Sequence, residues 1–369
     1  MIKNSLARKL CYLLYFSLFF IKSSEGQTGF DVKTDSLIQA AIELSIQHDY
    51  LKAETIFQRL INDYPDHPMG YFFMAATIQS KMIDYESDQL GEDFYRYIRL
   101  AIDFAKKNEA KKHDRDLWSM FCHGSALCYL AFYEGRNGDF LKAVSHGLSG
   151  ISILKKIVKS DSGFYDAYFG IGSYKYWRSK KTKFLNWLPL VSDNREEGID
   201  LVRQAVEQGK YTRYAAMNEL IWILLDAGKT EEAYSWSLKG LEKFPQSRFF
   251  LWGVAKSAFT LEDYVASATH FQQLLVSIIN SHFDNYYNEY ICRLKLAQCF
   301  EKLGKFADAS AQIVCVESLP LSPAIEKKLK KQRAELSQLK RQLAFIAKIE
   351  YPADSLATEH DFADKQRSQ

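Results

Sequence analysis

The chain has little of what most enzymes and small disulfide frameworks are built from. Of 369 residues, 7 are proline and 6 are cysteine, and no two cysteines form a CxxC unit, so neither a disulfide framework nor a zinc ribbon is encoded. Cys292 and Cys299 stand seven positions apart in a helical pattern, on one face and about 10 Å from each other, too far for a disulfide. The cysteines read as small buried hydrophobes. The 8 histidines include no HExxH or similar ligand pair, and Gly170-x-Gly172 lies inside a helical pattern rather than after a strand, which disfavours a dinucleotide loop. Cys122 and His123 are adjacent and so point from divergent helix faces. Asp193, Glu196 and Glu197 beside Arg195 sit at a helix start, where acids complement the dipole. No catalytic residue, cofactor or metal is expected.

An excess of charge is also missing. Lys3, Arg8 and Lys9 precede the apolar run Leu10 to Ile21, and the small residues Ser24 and Gly26 flank a cut before Gln27, the pattern of a secretory signal peptide. The run would rise only about 18 Å as a helix, short of the roughly 30 Å of bilayer hydrocarbon. Loss of residues 1–26 removes four basic residues and Glu25 from 48 basic and 45 acidic, leaving 44 of each. A balanced charge argues against a nucleic-acid binder, which needs a clustered basic excess. The reading is a periplasmic or secreted protein.

What the sequence does contain is a spacing. Small or apolar residues recur at intervals of four, then three: Ala53, Phe57, Leu60; Ala143, Gly147, Gly150; Gly198, Val202, Ala205; Ala233, Ser237, Gly240; Ser267, Phe271, Leu274; Ala309, Ile313, Val316. Each triplet lies on one helix face. "GDFLKA", "EDYVAS" and "GKFADA" place a turn residue five positions before the small residue, and Pro65 and Pro245 follow their triplets alike. This resembles the tetratricopeptide repeat, two antiparallel helices of about 34 residues with a small residue at the crossing and a proline after the second helix. The stretch Met217 to Pro245 is the clearest copy: Leu220 and Ile221 face the partner helix, Gly228 turns, and Ala233 permits close approach. The resemblance implies an all-α right-handed superhelix of antiparallel helix pairs with a continuous core and a concave surface.

Two intervals break the period. The longer, between Ala53 and Ala143, requires an irregular pair near Tyr71–Met82 and Glu92–Lys107. The other holds "YDAYFGIGSYKYW", a first helix with Tyr168, Ile171 and Gly172 at its packing positions, and "NREEGIDLVRQAVEQG", its partner, with Asp193 as N-cap and Glu196 three residues on. Between them, residues 178–194 form an insertion. Gly170, Gly172, Tyr174, Tyr176-Trp177, Trp187-Leu188-Pro189, Asp193, Arg195 and Gly198 together resemble an unnamed group of bacterial exported repeat proteins over most of the mature chain. More distantly, residues 165–245 resemble the tetratricopeptide-repeat-39, inclusion-body-clearance family. Neither resemblance implies a catalytic residue.

The insertion sets cations beside apolar anchors, so Tyr174, Trp177, Arg178, Lys181, Phe184, Trp187 and Arg195 are the candidate partner-binding residues. It can act as a lid over the groove, as a membrane-surface contact, or as packing at the end of the helix pair. At the C-terminus, Pro323 opens a helix over 323–349 with Leu329, Leu336 and Leu343 spaced by seven. It caps the last pair, with a coiled-coil dimer seam or a surface for an acidic partner as alternatives. Residues 350–369 read as a disordered tail. The functional expectation is a scaffold, monomeric or homodimeric, that holds a protein or peptide in its concave groove, where part of the 47 tyrosines and phenylalanines should lie. The alternative is lipid or glycan binding through Trp177, Phe184 and Trp187.

Overall fold

The computed structural model describes residues 30–111, 116–181, 193–281 and 283–350. Among them the chain is helical throughout. Seven antiparallel pairs follow one another: α1 Val32–Ile46 with α2 Tyr50–Asp63, α3 Pro68–Asp84 with α4 Gly91–Lys111, α5 Leu117–Arg136 with α6 Phe140–Ser160, α7 Asp166–Lys181 with α8 Arg195–Gln208, α9 Arg213–Asp226 with α10 Thr230–Lys243, α11 Arg248–Thr260 with α12 Tyr264–Ile279, and α13 Tyr286–Lys302 with α14 Phe306–Glu317. The short α15 Pro323–Lys328 and α16 Lys330–Glu350 complete the stack. The irregular second pair is longer at both ends than its apolar pattern indicated.

The spacing rule has a visible cause. Ala53, Gly198, Ala233, Ser267 and Ala309 are buried at the crossings. The approach is closest where glycine meets glycine: a Cβ on Gly172 would lie 2.7 Å from the Gly198 carbonyl oxygen, and one on Gly150 2.6 Å from that of Gly124. The turn between paired helices puts one residue in the left-handed region, which is Gly138, Gly228 and Gly304 in three repeats but His48, Glu86 and Glu262 in three others. That explains why the motif position accepts a glycine or a polar residue.

Three details differ from the sequence reading. Arg178, Lys180 and Lys181 belong to α7 rather than to an insertion, because Lys180 pairs with Asp226 and Arg178 lies over the Tyr174 ring, so the helix keeps its anchors. The N-cap of α8 is Asn194; Asp193 instead accepts from the Arg195 backbone N–H and grips its guanidinium. The C-terminal helix is broken at Leu329, which is wholly buried, and Ser322 caps its short first piece. The leucine stripe behaves as expected, with Leu329, Leu336 and Leu339 buried and Leu343 packed beside them. The candidate signal peptide, most of the insertion and the tail lie outside the described residues.

The odd-numbered helices form the inner wall; from α1 to α9 each touches the next odd helix as well as its own partner, α11 meets α13 through Phe259 and Lys295, and the wall curls until α1 meets α9. Aromatic rings fill the space enclosed by the first half: Phe72 packs on Tyr129, Phe73 and Trp118 on Tyr211, and Phe121 on Phe164. A polar cluster then ties the first two pairs to the sixth and seventh. Arg248, at the start of α11, grips the Asp84 carboxylate at the end of α3 with Nε at 2.8 Å and a second nitrogen on the other oxygen. The Asp84 carbonyl accepts from Asn285 at 2.8 Å and Asn288 at 2.9 Å. His48 Nε2 accepts from the Arg248 backbone N–H at 2.8 Å. A backbone N–H can only donate, so the His48 ring is neutral with its proton on Nδ1, facing the Tyr50 hydroxyl at 2.8 Å. That hydroxyl in turn donates to Asp84.

Burial lowers the His48 pKa from 6.5, more strongly than the Asp84 carboxylate beside it raises it. Burial alone would raise Asp84, but its His48 and Arg248 partners hold it well below 3.8. Both groups therefore take up protons more readily in the unfolded chain. Their stabilisation is complete above pH 6.5 and is lost as the pH falls, first through His48 and then through Asp84. Urea melts should show stability declining below about pH 6.5, and His48→Gln should remove the part of that decline belonging to the imidazole. Arg248→Ala leaves a buried carboxylate unpaired and should cost about 3–5 kcal/mol, with Asp84→Leu/Arg248→Met less destabilised than that single variant.

The crossing register is testable at α10. Ala233 is fully buried, so Ala233→Leu should overpack the junction and cost about 1–3 kcal/mol. Glu232, the next position, is not open surface, since its carboxylate accepts from Arg203 at 2.9 Å. The fair comparison is exposed Glu231, whose replacement by leucine should change stability by less than about 0.5 kcal/mol in the same thermal melts.

Candidate functional site

A cleft of about 480 Å³ lies between α1, the α6–α7 turn and the α8–α9 turn. Its charged walls are engaged with one another. Asp166 accepts from the backbone N–H groups of Lys210, Tyr211 and Thr212, which caps α9, while Asp35 holds Lys210 and the Tyr211 hydroxyl. Glu43 meets Lys243 at 3.5 Å, and Arg213 donates to the Glu207 carbonyl. These groups close the seam between α1 and the middle of the stack.

The inner wall of the second half is different, because aromatic and charged side chains there form a ladder across successive odd helices. Trp177 of α7 donates its indole N–H to Glu219 Oε1 of α9 at 2.6 Å. One turn further on, Trp222 lies under the Lys256 ammonium of α11 at 4.9 Å. Phe259, one turn on again, lies under Lys295 of α13 at 4.8 Å. Cation–aromatic contacts of this kind contribute about 0.5–1 kcal/mol when exposed and more when dry. Lys295 also donates to Gln298 at 2.7 Å and approaches Glu335 of α16 at 3.5 Å.

The wall is concave, and its titratable groups respond to that. Burial raises the Glu219 pKa above 4.5, with the Trp177 hydrogen bond opposing. Burial lowers the Lys256 pKa below 10.5, and the Lys295 and Lys331 ammonium groups lower it further, against Asp226. Lys256 is nonetheless exposed to solvent.

The sequence-derived residues are spread around this ladder. Trp177 is part of it, with Lys180 Nζ 5.6 Å from its ring. Tyr174 is half-buried against the first core cluster, with Arg178 over it. Arg195 is held by Asp193, whose hydrogen bond raises its pKa. Lys181 ends α7 as far as its backbone is described, and Phe184 and Trp187 lie outside the described residues. Glu219, Trp222, Lys256, Phe259, Lys295 and Lys331 were not singled out from the sequence. A signal existed for one pair: Trp222 and Lys256 stand 34 positions apart, as do the turn residues Gly228 and Glu262, so they occupy equivalent sites of adjacent repeats.

The thiols and imidazoles are occupied structurally. Burial pushes Cys128 up to about 12 and Cys122 well above its ordinary value. Cys292 and Cys299 are buried and free, donating to the Phe271 carbonyl and the Ser267 hydroxyl. His123 and His146 bond Glu109 and Glu134, each at 2.8 Å. Among the described residues no three His, Cys, Asp or Glu side chains are grouped to hold a metal, and no helix is long and apolar enough to cross a membrane.

Neither a family model nor a curated protein matches the chain. Many solved structures share its fold. The APC/C hetero-tetramer Cut9–Hcn1 is 13% identical and covers 91% of this chain at a TM-score of 0.50, while this chain spans 56% of that one. The Rap protein complexed with competence and sporulation factor is 14% identical, with 92% of this chain and 88% of that one covered at 0.43. The C-terminal part of a TPR repeat-containing protein from Cytophaga hutchinsonii is 16% identical, with 79% and 99% covered at 0.41. The chain therefore has a tetratricopeptide-repeat-like superhelical fold.

Trp177→Phe should leave the Glu219 carboxylate without its donor in a confined place, costing about 1–3 kcal/mol above pH 7. Protonation removes that charge, so the cost should shrink as the pH is lowered towards 5, as urea melts at the two pH values would show.

Proposed function

We propose that this protein is an exported, non-catalytic scaffold that holds a protein or peptide partner along the inner wall of α7, α9, α11 and α13. The observation carrying this reading is the ladder of Trp177–Glu219, Trp222–Lys256 and Phe259–Lys295. Aromatic and cationic side chains on a concave wall are surfaces that partner recognition uses. The interaction role of helical-repeat superhelices supports the class of function, and the N-terminal basic and apolar pattern supports export. The first half of the concavity is filled by its own aromatics, so the partner belongs to the second half.

Photocrosslinking tests this reading. A crosslinker replacing Trp222 should trap a discrete partner in the cell envelope, and one replacing Lys155 on α6 should not. Equal patterns from both positions would remove the case for the inner wall. Export is checked separately by the mass of the purified native protein, expected to begin at Gln27.

A second reading has an observation of its own. Phe140, Leu141, Val144 and Leu148 leave an exposed apolar face on the first half of α6, beside the end of α7 where the apolar insertion departs. This face, rather than Trp177, is the described surface suited to lipid contact. Co-sedimentation with anionic liposomes that is lost in Leu141→Ser/Val144→Ser would favour it.

A further inference from the structure

Three helices carry lysines beside the second and third rungs of the ladder: Lys256 from α11 over Trp222, Lys295 from α13 over Phe259, one turn on from Lys256, and Lys331 from α16, one turn before the Glu335 that Lys295 approaches. The helix α16 is distant in sequence and is placed there only by docking its leucine stripe on α13 and α14, and the Lys295 and Lys331 charges add to burial in lowering the Lys256 pKa. The nearby acids do not neutralise the group. Asp226 is held by Lys180 and the Tyr176 hydroxyl, and Glu335 approaches Lys295 alone. Among the described residues neither Lys256 nor Lys331 forms an ion pair, and both are exposed. Like charges held together on packed helices repel, and an anion placed between them relieves that cost.

The first rung of the ladder carries the opposite sign, with Glu219 on α9 accepting from Trp177. Packed helices lie about 8–10 Å apart, so the path from α9 across α11 to α13 is about 20 Å, which an extended segment of about six residues covers. Trp222 and Phe259 line that path between the charges. A small anion would use only the lysines and leave both rings idle.

We propose that the groove takes an extended acidic peptide segment of a partner protein. Its carboxylates sit on Lys256, Lys295 and Lys331, and an apolar side chain packs on Trp222 and Phe259. The proposal rests on the inner wall being the interaction surface and adds the chemistry of what lies there. Glu219 sets the direction by repelling the acidic end of the segment.

The probe is a fluorescein-labelled hexapeptide alternating glutamate and leucine, measured by anisotropy against the full mature chain. Binding should be saturable, should weaken as salt rises, and should fall roughly fivefold in Lys331→Gln and again in Lys256→Gln/Lys331→Gln, one contact at a time. Both lysines are exposed, so these variants should melt as the wild type does. Lys155→Gln, on α6, should bind normally. Trp222→Ala should weaken binding without changing the salt dependence. Equal binding of a lysine–leucine hexapeptide, lost in Trp222→Ala, would overturn the acidic partner while leaving the inner wall as the interaction surface. Displacement by millimolar inorganic phosphate, with no effect of Trp222→Ala, would overturn the peptide in favour of a small-anion site. No binding of either hexapeptide would overturn the proposal outright, whatever the crosslinks show.

Discussion

Asp84 holds the ends of the molecule together. Its carboxylate and carbonyl receive groups from the α1–α2 turn, the start of α2, the start of α11 and the start of α13. A superhelix of helix pairs is stabilised mainly by contacts between neighbours, so its ends are free to move apart unless something ties them. The tie here is a buried ion pair with nearly every lone pair and proton engaged. Burying a carboxylate and a guanidinium costs several kcal/mol each, and only that degree of hydrogen bonding offsets it. Its effect is on geometry: the inner wall is held at one curvature.

That curvature gives the two halves of the concavity different fates. With α1 brought against α9, the aromatics of α3, α5 and the α6–α7 and α8–α9 turns meet across a narrow space and become core. Beyond α9 the wall opens, and the side chains that would otherwise meet a neighbour are left as rungs. An aromatic on one odd helix lies under a charged group on the next, and the capping helix adds a lysine of its own. The cap's basic face and the groove's aromatic rungs, separate features in the sequence, become one surface through the docking of Leu329, Leu336 and Leu339.

The polar residues of the seam between α1 and the α8–α9 turn show how a cleft can look chemically rich and still be structural. Asp166 satisfies three N–H groups at the start of α9, and Asp35 holds two neighbours in place. Each carboxylate there has a partner that the fold needs. Beside the ladder, Lys256 and Lys331 form no ion pair among the described residues, while Lys295 has Gln298 and Glu335, and that contrast assigns a role to one site and not the other.

The sequence by itself determined the helix pairs and where they cross. Small residues at intervals of four and three reflect a local constraint, the room between two helix backbones, and Gly172, Gly198 and Ala233 are legible because nothing larger fits. The turn position was legible too, including the repeat where Glu262 occupies it, whereas His48 was not singled out. Trp177 could be picked out by its place at the end of a repeat helix. Its partner Glu219 could not, since a glutamate on a helix reads as a solvated face until another helix approaches. The tertiary structure decided how far the stack curls, because that depends on Asp84, Arg248 and His48, far apart in the chain and unremarkable singly. It also decided which aromatics became core and which stayed as a wall, and it brought Lys256, Lys295 and Lys331 together. Periodicity records what neighbouring helices require of each other; long-range closure leaves no period to read.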